Sequence, residues 1–339
     1  MPRALALTIG EPAGIGPDLT LAVWRQRAAL SIPPFYVLGD PAFLAMRAKL
    51  LGFDVPITEV DPSQAAAAFA GALPVVPLGR AITAQPGRPD ASSAPAAIEA
   101  IRRGVADVLS GAAAALVTNP IAKSVLYQAG FKEPGHTEYL ATLVTEMTGE
   151  VVQPVMLLWS PALAVVPVTI HIALKDVFRT LTTDLVVRTA RIVARDYARG
   201  FGVARPRLAI AGLNPHAGED GAMGQEDIAV LAPAVKQLQA EGIDVRGPLP
   251  ADTMFHAAAR RQYDVALCAY HDQALIPVKT LAFDTAVNAT LGLPFVRTSP
   301  DHGTAFDIAG TGRADPSSLI AALKLAATLS ERVPAPAAA

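Results

Sequence analysis

Short apolar runs alternate with longer helix-like segments along most of this 339-residue chain. The runs predict buried strands, because each is short and ends at Gly, Asn, His or Pro. We expect strands at residues 4–9, 35–38, 113–118, 154–159, 164–170, 207–211 and 265–269. We expect helices at residues 17–27, 41–51, 93–110, 137–148, 182–200, 225–241, 253–261 and 317–330. This alternation is typical of an α/β protein with a largely parallel sheet.

Length, charge and cysteine content exclude several classes of protein. A chain of 339 residues is long enough for about two domains. A net charge of −2 argues against a protein built to bind nucleic acid or an anionic membrane. The single cysteine, Cys268, excludes a disulfide framework and a cysteine-rich metal site. Since no apolar run is long enough for a membrane span or a signal segment, we expect a soluble, cytoplasmic protein.

Three histidines follow three of the predicted strands. His171, His216 and His271 each come just after an apolar run. Ligands of open α/β sheets bind at the carboxyl ends of the strands. Three imidazoles there would suit a catalytic divalent metal such as zinc, cobalt or manganese. The alternative is that each histidine is only a hydrogen-bonded polar residue at a strand end.

Two acidic residues accompany these histidines. Asp272 is adjacent to His271, and Asp252 lies in the loop at residues 248–253. Each is a candidate general base or a partner that orients a metal ligand. Either could equally be a helix cap or a solvated loop residue.

Several basic or helix-starting residues could bind an anion. Residues 118–123 end a strand and open a helix, with Asn119 as N-cap, Pro120 at the first position and Lys123 within the first turn. Thr137 is the expected N-cap of the helix that follows Gly135. Farther along, the charge-poor stretch at 278–299 contains the polar residues Lys279, Asn288 and Arg297. Such residues are ligand contacts or surface side chains with buried stems.

Glycine and proline patterns give two further expectations. Their concentration at residues 73–89 indicates a surface connection rather than a strand–helix unit. Gly14-Ile15-Gly16 and Gly310-Thr311-Gly312 both lack the third glycine of the common dinucleotide fingerprint. Any NAD must therefore bind in another way.

Ordered motifs at both ends of the chain carry a family resemblance. GEPAGIGPDL (10–19) and DHGTAFDIAGTGRADP (301–316) resemble segments of the isocitrate and isopropylmalate dehydrogenase superfamily. The combination with GHTEY (135–139), GLNPHAGE (212–219), GPLPADT (247–253), YHDQ (270–273) and NATLGLPFVRTSPDHGTA (288–305) is more specific. From about residue 7 to 325, the chain is similar to the 4-hydroxythreonine-4-phosphate dehydrogenase family of pyridoxal phosphate biosynthesis.

The resemblance implies an architecture. The superfamily fold consists of two α/β/α domains around a cleft. We expect residues 1–130 plus 285–330 to form the dinucleotide-side domain and residues 131–284 the metal and dimerisation domain. Residues 331–339 are the expected disordered tail. The resemblance also implies a homodimer in which each metal site is shared between the subunits.

The resemblance further implies roles for individual residues. The metal ligands would be His171, His216 and His271. The substrate contacts would be His136, Thr137, Lys279, Asn288 and Arg297. The dinucleotide loop would comprise His302, Gly303 and Thr304. The implied cofactors are NAD or NADP and one divalent metal, Zn, Mg or Co, per site.

The implied reaction is oxidation of the secondary alcohol of 4-phosphohydroxy-L-threonine, followed by loss of carbon dioxide. Related enzymes act on four-carbon sugar-acid phosphates or cis-dihydrodiols, so the substrate class stays open. A three-histidine zinc hydrolase or aldolase without NAD is a second alternative, and a non-catalytic binding protein is a third.

Overall fold

Parallel strands with helices between them dominate the computed structural model, which describes residues 3–133 and 135–333. The strands are β1 (Leu5–Thr8), β2 (Phe35–Gly39), β3 (Ile57–Glu59), β4 (Leu73–Pro77), β5 (Leu116–Thr118), β6 (Val155–Ser160), β7 (Leu163–Pro167), β8 (Leu208–Ala211), β9 (Val245–Leu249), β10 (Val265–Cys268), β11 (Val287–Leu291) and β12 (Arg297–Pro300). They belong to two structural units. The first contains the described residues up to Pro154 and from Leu293 onward, and the second is Val155–Gly292.

Helices connect most of the strands. They are α1 (Gly16–Arg25), α2 (Pro41–Leu50), α3 (Ala65–Ala68), α4 (Ala94–Leu109), α5 (Lys123–Gln128), α6 (His136–Thr148), α7 (Leu174–Thr180), α8 (Thr183–Phe201), α9 (Ala232–Ala240), α10 (Ala257–Arg260), α11 (His271–Ala282) and α12 (Ser317–Ser330). Short helical turns occur at Pro62–Gln64, Pro215–Gly221, Asp227–Leu231 and Phe306–Ile308. Among the described residues, no helix is both long and apolar enough to cross a membrane.

The first unit is built on a parallel sheet. Its strand order is β3-β4-β2-β1-β5-β12, and each neighbouring pair is parallel. Helix α4 packs closely on this sheet at Gly104, where a Cβ atom would lie 2.6 Å from Cδ1 of Leu116. Helix α2 begins after Asp40, whose Oδ1 accepts a hydrogen bond of 2.9 Å from the Ala42 amide.

The second unit is built on a mixed sheet of order β11-β6-β7-β10-β8-β9. Strands β7, β10, β8 and β9 are parallel, whereas β6 is antiparallel to β11 and β7. Alternate strand residues enter two separate cores: Val166 and Leu267 face α8 and α9, while Val165 and Ala266 face α11. This three-layer arrangement, with the first unit, confirms the α/β class predicted from the sequence.

Strand β4 corrects one expectation. Residues 73–77 were expected to belong to a surface connection, but β4 is hydrogen-bonded between β2 and β3. Two prolines, Pro74 and Pro77, enclose the buried pair Val75 and Val76. The proline-rich composition therefore concealed a short apolar strand.

Two helix predictions were also wrong in extent. Of the expected helix at 253–261, only α10 is helical, because Met254 is buried and its carbonyl accepts a hydrogen bond from Tyr263 Oη. The expected helix at 225–241 begins as the wide turn Asp227–Leu231 before α9. Pro233, which lacks an amide N–H, lies at the start of α9 and accounts for the wider turn.

The bounds of the two units differ from the domain bounds expected from the sequence. Residues 135–154 belong to the first unit because α6 packs against α4. Residues 285–292 belong to the second unit because β11 pairs with β6. The tail from residue 334 lies outside the described residues.

Candidate functional site

The three predicted metal ligands follow adjacent parallel strands of the second unit. Strand β10 lies between β7 and β8, with Leu267 opposite both Val166 and Ile210. His171, His271 and His216 follow these strands in that order along the sheet. The shared direction of the strands brings all three chain segments to one edge of the sheet.

His171 and His271 lie close together at this edge. Their ring centroids are 5.6 Å apart, and their planes differ by 43°. Both line a cavity of about 250 Å³. Its other lining residues are Thr169, Ile172, Leu174, Val177, Tyr270 and Asp272. This pair of imidazoles beside a cavity fits two of the nitrogen ligands of a divalent metal.

Asp272 determines which nitrogen of His271 is available. Oδ1 of Asp272 lies 2.7 Å from Nδ1 of His271. Because a carboxylate only accepts hydrogen bonds, this contact uses Nδ1 of His271 as the donor and leaves Nε2 as the nitrogen that could face a metal. This carboxylate–histidine arrangement is the one that usually orients a metal ligand.

His216 stands apart from this pair. It lies in the turn Pro215–Gly221 and is exposed. In the part of the chain that the structure describes, no three His, Cys, Asp or Glu side chains are grouped closely enough to hold a metal ion. The chain thus brings together two of the three predicted ligands, and His216 is not among the residues that line their cavity.

The turn that contains His216 has several non-glycine residues in the left-handed backbone conformation. His216, Ala217, Glu219 and Asp220 all have positive φ values, between 43° and 53°. A left-handed conformation costs roughly 1–2 kcal/mol at each such residue, so the turn needs support from its surroundings.

That support comes from Asp227, a residue that the sequence reasoning missed. Asp227 is only 1% exposed. It accepts hydrogen bonds from the Leu213 amide at 2.8 Å and from the Asn214 amide at 3.1 Å. No sequence motif marks this contact, since a carboxylate at the start of a helix usually caps that helix.

Asp252 is the other carboxylate proposed as a general base. It is exposed in the turn that precedes α10, and it is absent from the described residues that line the histidine cavity. The structure therefore places Asp272, but not Asp252, beside the predicted metal ligands.

Arg297 and His136 interact electrostatically in the first unit. Arg297 is 3% exposed at the start of β12, and its Nη2 donates a 2.6 Å hydrogen bond to Oγ1 of Thr118. Burial lowers the pKa of Arg297 to about 10, so the guanidinium stays charged near pH 7. Burial, and then the charge of Arg297, hold the pKa of His136 well below its usual value. The pair thus combines one full charge with a neutral imidazole, a combination suited to an anionic ligand.

His136 begins α6, which corrects the expected role of Thr137. The N-cap is Gly135, and no side chain caps this helix. A Cβ atom at Gly135 would lie 2.6 Å from Oε2 of Glu138, so a side chain there would require the Glu138 carboxylate to move. The same position would lie 3.4 Å from Nζ of Lys123, which places this predicted anion-binding lysine beside the start of α6.

The side chain of His136 has an unused hydrogen-bonding atom. Its Nε2 is enclosed by protein and has no hydrogen-bond partner among residues 3–133 and 135–333. An enclosed polar atom of this kind is expected to gain a partner when a ligand binds.

Lys279 and Asn288 belong to the second unit. Lys279 lies on α11, two turns after His271, and Nζ is 5.9 Å from the ring centroid of Phe283. Asn288 lies on β11 opposite Leu158, and its Oδ1 is enclosed without a hydrogen-bond partner in the described chain. The sequence did not predict α11 as a helix, although that helix carries His271, Asp272 and Lys279.

The predicted dinucleotide loop contacts the glycine-rich segment near the start of the chain. The Ile15 amide donates a 3.0 Å hydrogen bond to the carbonyl of Thr304. A Cβ atom at Gly14 would lie 2.8 Å from that carbonyl oxygen, so glycine is required for the close approach. The two motifs that first indicated the superfamily are therefore packed together in the first unit.

Asp18 strengthens this contact. It forms an ion pair with Arg47 and accepts a 2.6 Å hydrogen bond from the Gly310 amide. Arg47 also donates to the Pro12 carbonyl, and sequence reasoning had given this arginine no role.

The remaining residues of the loop leave room for a ligand. A Cβ atom at Gly303 would meet nothing within 4 Å, and Gly303 is exposed. Nδ1 of His302 is 3.0 Å from the Gly303 carbonyl, whereas its Nε2 is enclosed without a hydrogen-bond partner among the described residues.

Comparisons with known proteins agree on one family. The family model described as pyridoxal phosphate biosynthetic protein PdxA matches residues 31–326. A Bradyrhizobium diazoefficiens protein named 4-hydroxythreonine-4-phosphate dehydrogenase is 63% identical, covering 96% of this chain and 97% of that protein. A protein of the same name from Methylorubrum populi is 61% identical, covering 97% and 95%. The crystal structure of 4-hydroxythreonine-4-phosphate dehydrogenase from Klebsiella pneumoniae has a TM-score of 0.84 and 37% identity, covering 97% and 99%.

Proposed function

The chain belongs to the family of pyridoxal phosphate biosynthetic proteins PdxA, and on that premise we propose that it catalyses the 4-hydroxythreonine-4-phosphate dehydrogenase reaction. The family predicted from the sequence motifs is thereby confirmed, and the chain is a dehydrogenase. In the proposed reaction, the secondary alcohol of 4-phosphohydroxy-L-threonine loses a proton and transfers a hydride to NAD or NADP. The product, 2-amino-3-oxo-4-phosphooxybutanoate, then loses carbon dioxide to give 3-amino-2-oxopropyl phosphate.

The pairing of His171 with His271 is the observation that carries the metal-dependent part of this proposal. The rings lie 5.6 Å apart beside a cavity, and Asp272 leaves Nε2 of His271 available. These donors suit one Zn, Mg or Co ion, and zinc or cobalt suits imidazole better than magnesium does. When bound, such an ion lowers the pKa of the substrate alcohol and stabilises the negative charge that decarboxylation leaves.

The third ligand is proposed to be the partner subunit's His216. Within one chain, His216 does not line the cavity that contains the other two histidines. Shortly after His171 in the chain, the large apolar side chains of Ile172, Leu174 and Phe178 are exposed. Exposed apolar side chains of this size favour contact with another subunit, so we expect a homodimer.

Five residues are proposed to bind the substrate. Arg297 supplies a buried charge and His136 a neutral imidazole with an enclosed, unused nitrogen. Asn288 also has an enclosed amide oxygen without a described partner. Together with Thr137 and Lys279, these side chains would bind the charged ends of the substrate and orient its reacting carbon.

His302, Gly303 and Thr304 are proposed to contact NAD or NADP. Gly303 is exposed with free space where a side chain would be, so its backbone is accessible to a ligand. Asp18 and Ile15 hold the neighbouring backbone in place through Gly310 and Thr304.

An assay of NADH formation tests the proposal. Purified protein is incubated with NAD and either 4-phosphohydroxy-L-threonine or a four-carbon sugar-acid phosphate, with and without a chelator. We expect turnover of the hydroxythreonine phosphate, loss of turnover with chelator, and recovery with Zn, Co or Mg. Turnover of the sugar-acid phosphate alone would assign the alternative substrate, and absence of NAD binding by calorimetry would favour a hydrolase or aldolase.

A further inference from the structure

The ends of β7, β10 and β8 are joined in two different ways. Between β7 and β10, backbone hydrogen bonds continue past the strands, from the Val168 amide to the Cys268 carbonyl and from the Thr169 amide to the Ala269 carbonyl. Between β10 and β8, the paired register ends at Leu267 opposite Ile210. The segments leading to His271 and His216 therefore lose their pairing with each other beyond Leu267 and Ile210, although each stays hydrogen-bonded to its other neighbour, β7 or β9.

The side chain of Gln273 bridges this gap. Its Oε1 accepts a 2.7 Å hydrogen bond from the Ala269 amide, and its Nε2 donates a 2.7 Å hydrogen bond to the Gly212 carbonyl. A glutamine amide carries the same donor and acceptor groups as a peptide bond. Gln273 thus takes the place of the backbone pairing that is lost between the ends of β10 and β8.

Ala269 links this bridge to the third strand. Its carbonyl accepts a 2.7 Å hydrogen bond from Oγ1 of Thr169. A continuous path of hydrogen bonds therefore connects Thr169, Ala269, Gln273 and Gly212. Thr169 and Ala269 each lie two residues before a predicted metal ligand, and Gly212 lies four residues before His216.

Gly212 is well suited to this contact. A Cβ atom there would lie 2.8 Å from Cα of Ala217 and 3.0 Å from Oδ1 of Asp227. The backbone at Gly212 therefore packs closely against the His216 turn. Its amide donates a 2.7 Å hydrogen bond to the Leu249 carbonyl. A shift at Gly212 would be transmitted directly to that turn.

We propose that Gln273 is a positioning residue for the metal site, because it fixes the start of the His216 turn relative to His271. The inference rests on the proposed function, in which both histidines are metal ligands. The inference holds whether His216 binds the metal of its own chain or of the partner subunit. In either case Gln273 fixes the positions of the segments before His271 and His216 in one chain. The bond to Ala269 resembles that of a helix cap, since Ala269 precedes the N-cap Tyr270, but the bond to Gly212 joins α11 to a separate strand end and goes beyond capping.

Metal affinity tests this role separately from turnover. Metal-stripped wild-type protein, Gln273→Leu and Gln273→Glu are titrated with Co²⁺, and binding is followed by visible absorption in competition with a chelator. Leucine removes both hydrogen bonds at similar volume, whereas glutamate keeps the acceptor for Ala269 and loses the donor to Gly212. Gln237→Leu is the matched control, because Gln237 is exposed on α9.

We expect Gln273→Leu and Gln273→Glu to bind Co²⁺ about 10- to 100-fold more weakly than wild type, as for other residues that orient metal ligands. Their kcat should fall while the KM for NAD stays unchanged, and Gln237→Leu should remain within about twofold of wild type. If Gln273→Glu, which keeps one of the two bonds, binds Co²⁺ like wild type, the bridge to Gly212 does not position the site. If wild-type protein itself binds no Co²⁺, the proposed metal site fails, and the role of Gln273 fails with it.

Discussion

Nη2 of Arg297 donates a 2.6 Å hydrogen bond to Oγ1 of Thr118, and both side chains are buried in the first unit. The two residues are 179 positions apart in sequence but belong to the neighbouring parallel strands β12 and β5. Thr118 therefore fixes the direction of a guanidinium whose charge is retained despite burial. This makes Thr118 part of the proposed substrate-binding machinery, at the start of the segment that the sequence marked as a candidate anion site.

The first prediction concerns this pair. Arg297→Ala should raise the KM for 4-phosphohydroxy-L-threonine at least about tenfold, because a hydrogen bond to a charged group contributes roughly 1.5–3 kcal/mol. Thr118→Val should raise it less, because the charge remains and only its orientation is lost. The KM for NAD should change little in both variants, measured by steady-state kinetics. Arg199→Ala, at an exposed position on α8, is the control. If Arg297→Ala changes both KM values equally, the assignment of Arg297 to substrate binding is wrong.

The second prediction concerns pH and His136. The pKa of His136 is lowered in the folded protein, so the unfolded chain binds its proton first as pH falls. The free energy of unfolding should therefore decrease below about pH 6.5, with a slope from this group of up to about 1.4 kcal/mol per pH unit. Above that pH the contribution is fully present. His136→Gln should show a shallower decrease in urea unfolding at several pH values, and an unchanged slope would contradict the lowered pKa.

Strand ends made part of the candidate site predictable. His171 and His271 follow short apolar runs, and the parallel sheet brings them together as the pattern indicates. Asp227 and Gln273 were missed because they bind backbone groups, and backbone partners leave no trace in a sequence.

Local composition also misled some predictions of structure. Proline at positions 74 and 77 concealed β4, since short strands are recognised by uninterrupted apolar residues. Thr137 was expected to cap α6 because threonine is a common N-cap, but the extended residue Gly135 is the N-cap and the helix begins at His136.

The third prediction separates the two candidate carboxylates. Asp272→Ala should weaken Co²⁺ binding about 10- to 100-fold, because it removes the group that orients His271. Asp252→Ala should bind Co²⁺ like wild type, because Asp252 is exposed and outside the histidine cavity. Calorimetric titration of metal-stripped protein distinguishes the two. Turnover lost in Asp252→Ala with normal Co²⁺ affinity would instead identify Asp252 as a general base.

The fourth prediction tests whether His216 completes the partner subunit's metal site. His171→Ala and His216→Ala should each be folded by circular dichroism but inactive, because each lacks a ligand at every site. After the two variants are mixed and subunits exchange, half of the dimers are mixed, and one of their two sites contains all three histidines. Activity should then recover to about a quarter of the wild-type value. A mixture of His171→Ala with His271→Ala is the matched control and should stay inactive, because both histidines belong to the same half of the site. Failure of the first mixture to recover, despite proven subunit exchange, would place all three ligands within one chain.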